Sequence, residues 1–281
     1  MYIDGHFSGT DGVNLFYRGW VPQKPRALLI LVHGAGEHSG RYSNIGEACM
    51  DHEIALVAPD LRGFGQSKGP RGHVNNFKDY LDDLDTIIEL FHAQYEPVPL
   101  FLFGHSFGGL IVIRYGQIYP HKAEGFILSS PALGIRFHIP FLFKKMLDFI
   151  SWMSPGLSIQ PLKWTGMLRK VRQLKPYFPE NPALVQDPFF TFEYTPRWLA
   201  ELLHNGTHAL SEASKFRFPT LCLYDQLDPI IHPGSVQRFL NSIIVQDKKH
   251  VMFTEGLHRP WHAHHKHQAM ENVITWLNTR L

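Results

Sequence analysis

The sequence has little cysteine, little net charge and no long apolar run, and each of these shortages excludes a class of protein. Its 281 residues contain two cysteines, Cys49 and Cys222, which do not suggest a disulfide framework in a chain of this length. The formal net charge of +2 gives no electrostatic argument for nucleic acid as a partner. No stretch of about 18 uninterrupted apolar residues is present, so we expect no membrane span.

Two further absences bear on localisation and cofactors. The first residues, MYIDGHFSGTDG, lack the basic segment and apolar run of a secretory signal, so we expect a cytoplasmic protein. No G-x-G-x-x-G fingerprint is present, so no dinucleotide cofactor is expected. Histidine is frequent, with 18 residues, but we interpret the cluster His262, His264, His265 and His267 as a solvated helix start. We therefore predict neither a metal nor a cofactor.

Strand-like and helix-like segments alternate along most of the chain. The apolar runs RALLILV, EIALVAP, VPLFLF, AEGFIL and PTLCLY predict strands that are buried on both faces. Between them, NNFKDYLDDLDTIIELFHAQY has apolar residues three and four apart and predicts an amphipathic helix. The alternation predicts an α/β fold with a mostly parallel sheet and helices on both faces.

The alternation is interrupted between residues 134 and 213. This segment is rich in Phe, Pro, Trp and Met and shows no clear buried strand. We therefore predict a discontinuous core of residues 1–133 and 214–281, with residues 134–213 inserted at the carboxyl ends of the strands, where open α/β sheets bind ligands. Residues 137–153 predict an amphipathic helix with the basic pair Lys144 and Lys145, which either contacts a lipid surface or packs its apolar side on the core.

The stretch GHSFG at residues 104–108 stands where a predicted strand meets a predicted helix. It matches G-x-S-x-G, in which a sharp turn exposes the serine hydroxyl above the sheet edge. The alternative is a structural turn serine, but the strand before it and the helix after it favour Ser106 as a nucleophile.

A serine nucleophile needs a base, an acid that orients the base, and an oxyanion hole. The loop after the last strand offers His258 as the base, and LCLYDQLDPII offers Asp225 and Asp228 as the acid. One oxyanion donor is expected from the backbone of Phe107, which follows the nucleophile. The other is expected from the loop HGAG at residues 33–36, unless this loop is a plain strand-to-helix turn.

The stretches HGAGEHSGRY, DLRGFGQS, GHSFGG, the loop at 225–231 and EGLH resemble the α/β-hydrolase family, in particular its monoacylglycerol lipase and lysophospholipase branch. The resemblance covers nearly the whole chain and is weakest in residues 134–213. It implies the α/β-hydrolase fold with a helical cap. It also implies a triad of Ser106, Asp228 and His258, with the backbones of Ala35 and Phe107 as oxyanion donors.

The resemblance extends to the polar end of the substrate. It places Glu37 and Arg41 near the head group, although a salt bridge that braces the loop is an equal alternative. The lipases often carry a second histidine near the glycerol, and Trp261 occupies that position here. Asp225 also departs from the pattern of the branch, because a glycine usually stands there.

The predicted function is a serine esterase that releases the fatty acid from a single-chain lipid, either a monoacylglycerol or a lysophospholipid. The expected partner is this small lipid, together with transient contact between the cap and a membrane surface; the sequence gives no indication of oligomeric state. The alternatives are a serine aminopeptidase, for which Glu180, Asp187 and Glu193 are candidate amine-binding acids, a small-ester carboxylesterase, and a ligand receptor without turnover.

Overall fold

An eight-stranded sheet forms the centre of the computed structural model, which describes residues 1–95, 97–120, 122–136, 139–158, 186–262 and 265–281. The strands are β1 (Tyr2–Ser8), β2 (Asn14–Trp20), β3 (Ala27–Val32), β4 (Ile54–Pro59), β5 (Leu100–His105), β6 (Gly125–Ser129), β7 (Thr220–Asp225) and β8 (Lys248–Phe253). Their spatial order is β1-β2-β4-β3-β5-β6-β7-β8. β1 and β2 pair antiparallel with their neighbours, and the other six strands run parallel, as predicted.

Helices cover both faces of this sheet. The α-helices of the described residues are α1 (Ser43–Asp51), α2 (Lys78–Tyr95), α3 (Phe107–Ile118), α4 (Phe141–Met153), α5 (Pro196–Ser211), α6 (Pro233–Ser242) and α7 (Lys266–Asn278), of which α4 packs on α5. Apolar residues of α2, α3 and α6 belong to one core cluster, and those of α1 and α7 belong to a second. β3 divides its side chains between the two clusters, since successive residues of a strand point to opposite faces. This explains why its sequence is apolar without interruption.

The carboxyl ends of the six parallel strands meet at one edge of the sheet. The loops after β3, β5, β7 and β8 all leave from this edge and carry the residues predicted to act in catalysis. Thr195 caps the start of α5, since its hydroxyl accepts a hydrogen bond of 3.2 Å from the Trp198 N–H, and α5 contacts both α3 and α4. The boundaries of the predicted insertion stay a prediction, because residues 159–185 lie outside the described residues. Within the described ranges, no helix is both long and apolar enough to cross a membrane.

A buried ion pair fixes the segment after β4 against α2. The Arg62 guanidinium donates two hydrogen bonds, of 2.6 and 2.7 Å, to the carboxylate of Asp83, and a third of 2.8 Å to Asp11 in the turn between β1 and β2. The two bonds to Asp83 form a bidentate pair, which is the strongest geometry for such an interaction. Three distant parts of the chain are therefore joined at one guanidinium.

We expect the substitution Asp83→Ala to lower the free energy of unfolding by about 3 kcal/mol, because it leaves a largely buried guanidinium with fewer partners. The matched control is Asp247→Ala, which breaks the ion pair with Arg280 at a position where the Asp247 side chain is 54% exposed. The control should cost less than about 1 kcal/mol. Urea denaturation measures both values, and equal losses would show that the Arg62 pair does not brace the fold.

Candidate active site

Ser106 occupies the turn between β5 and α3 in a strained backbone conformation. Its φ is 51° and its ψ is −113°, a region that residues other than glycine rarely adopt. The turn is held by hydrogen bonds from the Ser106 N–H to the Ser129 carbonyl (2.8 Å) and from the Ala132 N–H to the Ser106 carbonyl (2.9 Å). The neighbouring loop therefore fixes the serine from both sides.

The glycines on either side of Ser106 are required by close backbone contacts. A Cβ on Gly104 would overlap the Gly108 carbonyl, and a Cβ on Gly108 would overlap the Val32 carbonyl at the end of β3. Backbone atoms cannot move aside as a flexible side chain can. The sequence motif therefore reflects the approach of α3 to β5 and β3, as expected for an exposed serine on a tight turn.

His258 lies between Ser106 and Asp228. Its Nδ1 is 2.8 Å from Oδ2 of Asp228, and its Nε2 is 2.9 Å from the Ser106 hydroxyl oxygen. An ionised carboxylate can only accept, so Nδ1 carries the proton and Nε2 is left as an acceptor for the serine hydroxyl. The structure thus brings together the three residues that the sequence placed on three separate loops.

The Asp228 carboxylate is held in its charged form. Burial alone would raise its pKa, but the hydrogen bond from His258 and those from the backbone N–H groups of Ile230 (2.7 Å) and Ile231 (2.9 Å) keep that pKa below its ordinary value. These two N–H groups bind Oδ1, so Oδ2 is left to face the imidazole.

Asp225, the other candidate acid, makes different contacts. Its Oδ1 accepts a hydrogen bond from the Leu227 N–H (2.7 Å), and its Oδ2 accepts from the N–H groups of Glu255 (3.0 Å) and Leu257 (3.1 Å). Asp225 therefore joins the loop after β7 to the loop that carries His258. The carboxylate that reaches the imidazole is that of Asp228.

The two predicted oxyanion donors lie at the ends of β3 and β5. The Phe107 N–H is at the start of α3, where the first N–H groups have no partner within the helix. Within the described part of the chain, the Ala35 N–H donates no hydrogen bond to a protein acceptor. The loop of Ala35 is close to the serine, since a Cβ on Gly34 would lie 3.3 Å from the Ser106 Cβ. The loop after β3 and the start of α3 therefore both lie next to Ser106, and the role of Ala35 and Phe107 as oxyanion donors stays a prediction.

Glu37 is a buried carboxylate with polar groups on both oxygens. Its Oε2 accepts hydrogen bonds from the Tyr42 hydroxyl (2.6 Å) and the Gly34 N–H (3.1 Å). Its Oε1 faces the Nε atoms of Arg259 at 2.6 Å and Arg41 at 3.5 Å. Burial would raise the pKa of Glu37, but the charge of Arg259 and the other partners hold it well below the ordinary value. These contacts are those of a residue that braces its loop.

Arg41 lies near Asp187, and both described acidic candidates of the predicted insertion have protein partners. Asp187 accepts a hydrogen bond of 2.9 Å from His38 Nε2 and lies 3.6 Å from the Arg41 guanidinium. Glu193 also has partners, and the Ser158 hydroxyl donates to it over 3.5 Å. Glu180 lies outside the described residues. The two described acids are therefore already engaged by protein groups.

Trp261 lies in the core and not at the open site. It is 2% exposed, and its ring packs against Phe103 with 5.1 Å between the centroids. It belongs to the cluster that also contains residues of α1 and α7. The indole is therefore enclosed by the core on this side of the sheet. The expectation that Trp261 contacts the substrate therefore finds no support in its placement.

Sequence reasoning did not select Arg259. The signal was available, since an arginine stands directly after the proposed base and a glutamate follows the first buried strand. However, 222 positions separate Arg259 from Glu37, and no periodic pattern connects them. Of the histidine cluster, His265 pairs with Glu255 at 2.9 Å, and His264 lies outside the described residues.

The comparison with known families agrees with these motifs. The family model described as serine aminopeptidase, S33 matches residues 23–263. A monoacylglycerol lipase of Mycolicibacterium smegmatis is 26% identical over 279 residues, covering 98% of this chain and 96% of the relative. Phospholipase YtpA of Bacillus subtilis is 28% identical over 245 residues, covering 85% of this chain and 90% of the relative.

The fold is shared with solved structures. The crystal structure of a monoacylglycerol lipase from Paleococcus ferrophilus superposes with a TM-score of 0.82 at 28% identity, covering 95% of this chain and 99% of that chain. The predicted α/β-hydrolase fold and the resemblance stated from the motifs are therefore confirmed.

His105, inside the serine motif, generates a prediction on pH. Burial lowers its pKa to about 3, so it is neutral in the folded protein, whereas a histidine in the unfolded chain titrates near 6.5. Below that value the unfolded chain binds a proton that the folded chain does not. We therefore expect the free energy of unfolding to fall as the pH decreases from 6.5 towards 3, by up to about 1.4 kcal/mol per pH unit from this residue.

The check is urea denaturation at several pH values for wild type, His105→Gln and the control His6→Gln, whose side chain is exposed. The slope below pH 6.5 should decrease in His105→Gln and stay unchanged in His6→Gln. An unchanged slope in both variants would contradict the buried, neutral state of His105.

Proposed function

Because the chain belongs to the serine aminopeptidase S33 family and has the α/β-hydrolase fold, we propose that it is a serine hydrolase acting on the carboxylic ester of a single-chain lipid, a monoacylglycerol or a lysophospholipid. The observation that carries the proposal is the hydrogen-bonded series from Asp228 through His258 to Ser106, with distances of 2.8 and 2.9 Å. The lipid ester is supported by the names of relatives that span most of the chain.

The proposed reaction proceeds through an acyl-enzyme. Nε2 of His258 takes the hydroxyl proton while the Ser106 oxygen attacks the ester carbonyl, and Asp228 holds the imidazole in the required tautomer. The N–H groups of Ala35 and Phe107 stabilise the charge on the carbonyl oxygen, and such a donor contributes about 3 kcal/mol. His258 then protonates the leaving alcohol. Water activated by the same imidazole releases the fatty acid.

An aminopeptidase is the principal alternative, since ester and amide cleavage use the same triad. Binding a free amino terminus requires an accessible carboxylate near the serine. Among the described residues of the insertion, Asp187 is already bound by His38 and Arg41, and Glu193 also has partners. This pairing favours the ester over the peptide. A small-ester carboxylesterase and a receptor without turnover are outcomes that the experiment below distinguishes.

We propose that residues 134–213 act as a cap with a partly apolar cavity for the acyl chain. A cavity of about 240 Å³ lies between α4 and α5 beside Ala132, whose N–H binds the Ser106 carbonyl. Its lining includes Ile139, Leu202 and Leu203. Each buried methylene contributes about 0.8 kcal/mol, so an acyl chain gains far more in such a cavity than a short polar ester does.

The outer face of α4 supports transient contact with a lipid surface. Leu147 and Ser151 are buried, whereas Phe141, Leu142 and Trp152 are 74%, 79% and 71% exposed. The basic residues Lys144 and Lys145 lie on the same short helix. A helix with large exposed apolar residues and nearby lysines is suited to the boundary between head groups and acyl chains. Peripheral binding is therefore part of the proposal, and the cytoplasmic location stays a prediction.

The first test compares fatty-acid release from a monoacylglycerol and a lysophosphatidylcholine of equal chain length. Ser106→Ala should reduce kcat/KM by at least about 10³-fold, because the nucleophile is lost. The control Ser242→Ala, at the end of α6, should retain activity. Full activity in Ser106→Ala would contradict the mechanism.

The two substrates distinguish the head groups, and an aminoacyl amide and a short ester distinguish the alternatives. Release from neither lipid, with Ser106 still labelled by a fluorophosphonate, would replace the lipid ester with the peptide or small ester that is cleaved. Labelling without turnover of any substrate would favour the receptor.

The second test concerns α4. The double substitution Leu142→Ser with Trp152→Ser should weaken sedimentation with phosphatidylcholine vesicles containing anionic lipid by about tenfold or more, since each large side chain contributes about 1.5–3 kcal/mol when buried. The control is Ile244→Ser, which removes an apolar side chain that is 57% exposed and follows α6. Equal binding of the double variant and wild type would exclude this helix as the lipid contact.

A further inference from the structure

Arg259 connects two loops that carry different parts of the proposed catalytic machinery. It directly follows His258, and its Nε lies 2.6 Å from Oε1 of Glu37 in the loop after β3. The Arg259 side chain is 25% exposed and the Glu37 side chain is 1% exposed, so the carboxylate end of the pair is protected from solvent. A pair of this kind is screened less than an exposed one.

Glu37 also binds the backbone of the proposed oxyanion loop. Its other oxygen accepts the N–H of Gly34, the residue that precedes the proposed donor Ala35, over 3.1 Å. A Cβ on Gly34 would lie 2.9 Å from the same Glu37 oxygen and 3.3 Å from the Ser106 Cβ. The carboxylate therefore lies between the loop of the proposed base and the backbone beside the nucleophile.

We propose that Arg259 is a positioning residue, which, through Glu37, fixes the oxyanion loop relative to His258. This inference rests on the proposed function. Arg259 has no contact with Ser106 within the described residues, so its effect is on geometry. The oxyanion N–H groups and the imidazole must act on the same carbonyl at the same time, so their separation must be fixed before the substrate arrives.

Arg41 does not replace Arg259 in this role. Its Nε is 3.5 Å from the Glu37 carboxylate, and its guanidinium is also 3.6 Å from Asp187. Arg41 is four residues from Glu37 in the same loop, so its contact cannot link that loop to the loop of His258. Without Arg259, Glu37 would be a buried carboxylate with one distant cation, which is a costly arrangement. The loop would then shift to reach solvent or another donor.

The experiment measures the rate of Ser106 phosphonylation by a fluorophosphonate in the full-length protein. This reaction uses the serine, the base and the oxyanion donors, and it does not depend on which ester is the natural substrate. The variants are Arg259→Met, Arg259→Lys, Glu37→Gln, the double variant Arg259→Met with Glu37→Gln, and the control Arg280→Met. Arg280 lies after the end of α7 and forms an ion pair with Asp247, so it takes no part in the pair between Arg259 and Glu37. Each variant is also tested for hydrolysis of a p-nitrophenyl ester and for Tm.

Arg259→Met should slow phosphonylation and kcat by about 10- to 100-fold, the loss expected from a small misplacement of catalytic groups. KM should change by less than about twofold, because Arg259 does not bind the ester. Arg259→Lys should recover part of the rate, since an ammonium retains the charge but not the planar guanidinium. The double variant should be no slower than Arg259→Met, because the two residues act as one unit.

Wild-type rates in Arg259→Met, or equal rates in Arg259→Met and Arg259→Lys, would overturn the inference while wild-type labelling leaves the proposed nucleophile in place. If Arg259→Met does not fold, Glu37→Gln and Arg259→Lys replace it in the test, since each weakens the pair without leaving an unpaired buried carboxylate. Wild-type rates in both of these variants would then overturn the inference. Absence of labelling in the wild-type protein would overturn the proposed function together with this inference.

Discussion

The close approach of α3 to the ends of β5 and β3 is the constraint on which the site depends. It places Ser106 at a φ of 51° and leaves no room for a side chain at Gly104 or Gly108. Once the helix begins there, the serine faces the loop after β3, because a Cβ on Gly34 would nearly touch it. The orientation of the proposed nucleophile is therefore set by backbone packing, and the other groups of the proposed site are arranged around it.

His258 differs from the other described histidines of the core in having a carboxylate partner and a serine partner. His33 and His105 are buried, and burial lowers the pKa of each, so they remain neutral structural groups. His38 donates to Asp187, and the Thr191 N–H binds the Gly36 carbonyl, so this segment is held against the loop after β3. His258 differs because a carboxylate binds one of its nitrogens and a serine hydroxyl faces the other. These partners, and not the abundance of histidine in the sequence, are what the proposed role of His258 as a general base requires.

Much of the fold could be predicted from the sequence because local patterns determine it. Uninterrupted apolar runs predicted the buried strands, and the glycines around Ser106 predicted the tight turn. The pairings of Arg259 and Asp187 could not be predicted. Each of these residues pairs with a side chain that is distant in sequence and whose orientation depends on a loop. The burial of Trp261 could not be predicted from the sequence either. Three residues after His258, the chain has already turned towards Phe103 and the core.

The pairing of polar groups also bears on the proposed substrate. Glu37 is paired with Arg259, Tyr42 and Gly34, and both Glu37 and Trp261 are buried, so neither side chain is exposed to a lipid head group. By contrast, the cavity between α4 and α5 offers aliphatic side chains such as Ile139, Leu202 and Leu203, beside the polar Lys144 and Thr207. An acyl chain that fills it gains about 0.8 kcal/mol per methylene, so eight methylenes supply about 6 kcal/mol without any head-group contact. We therefore expect affinity for the proposed substrate to follow acyl length more closely than the identity of the polar group.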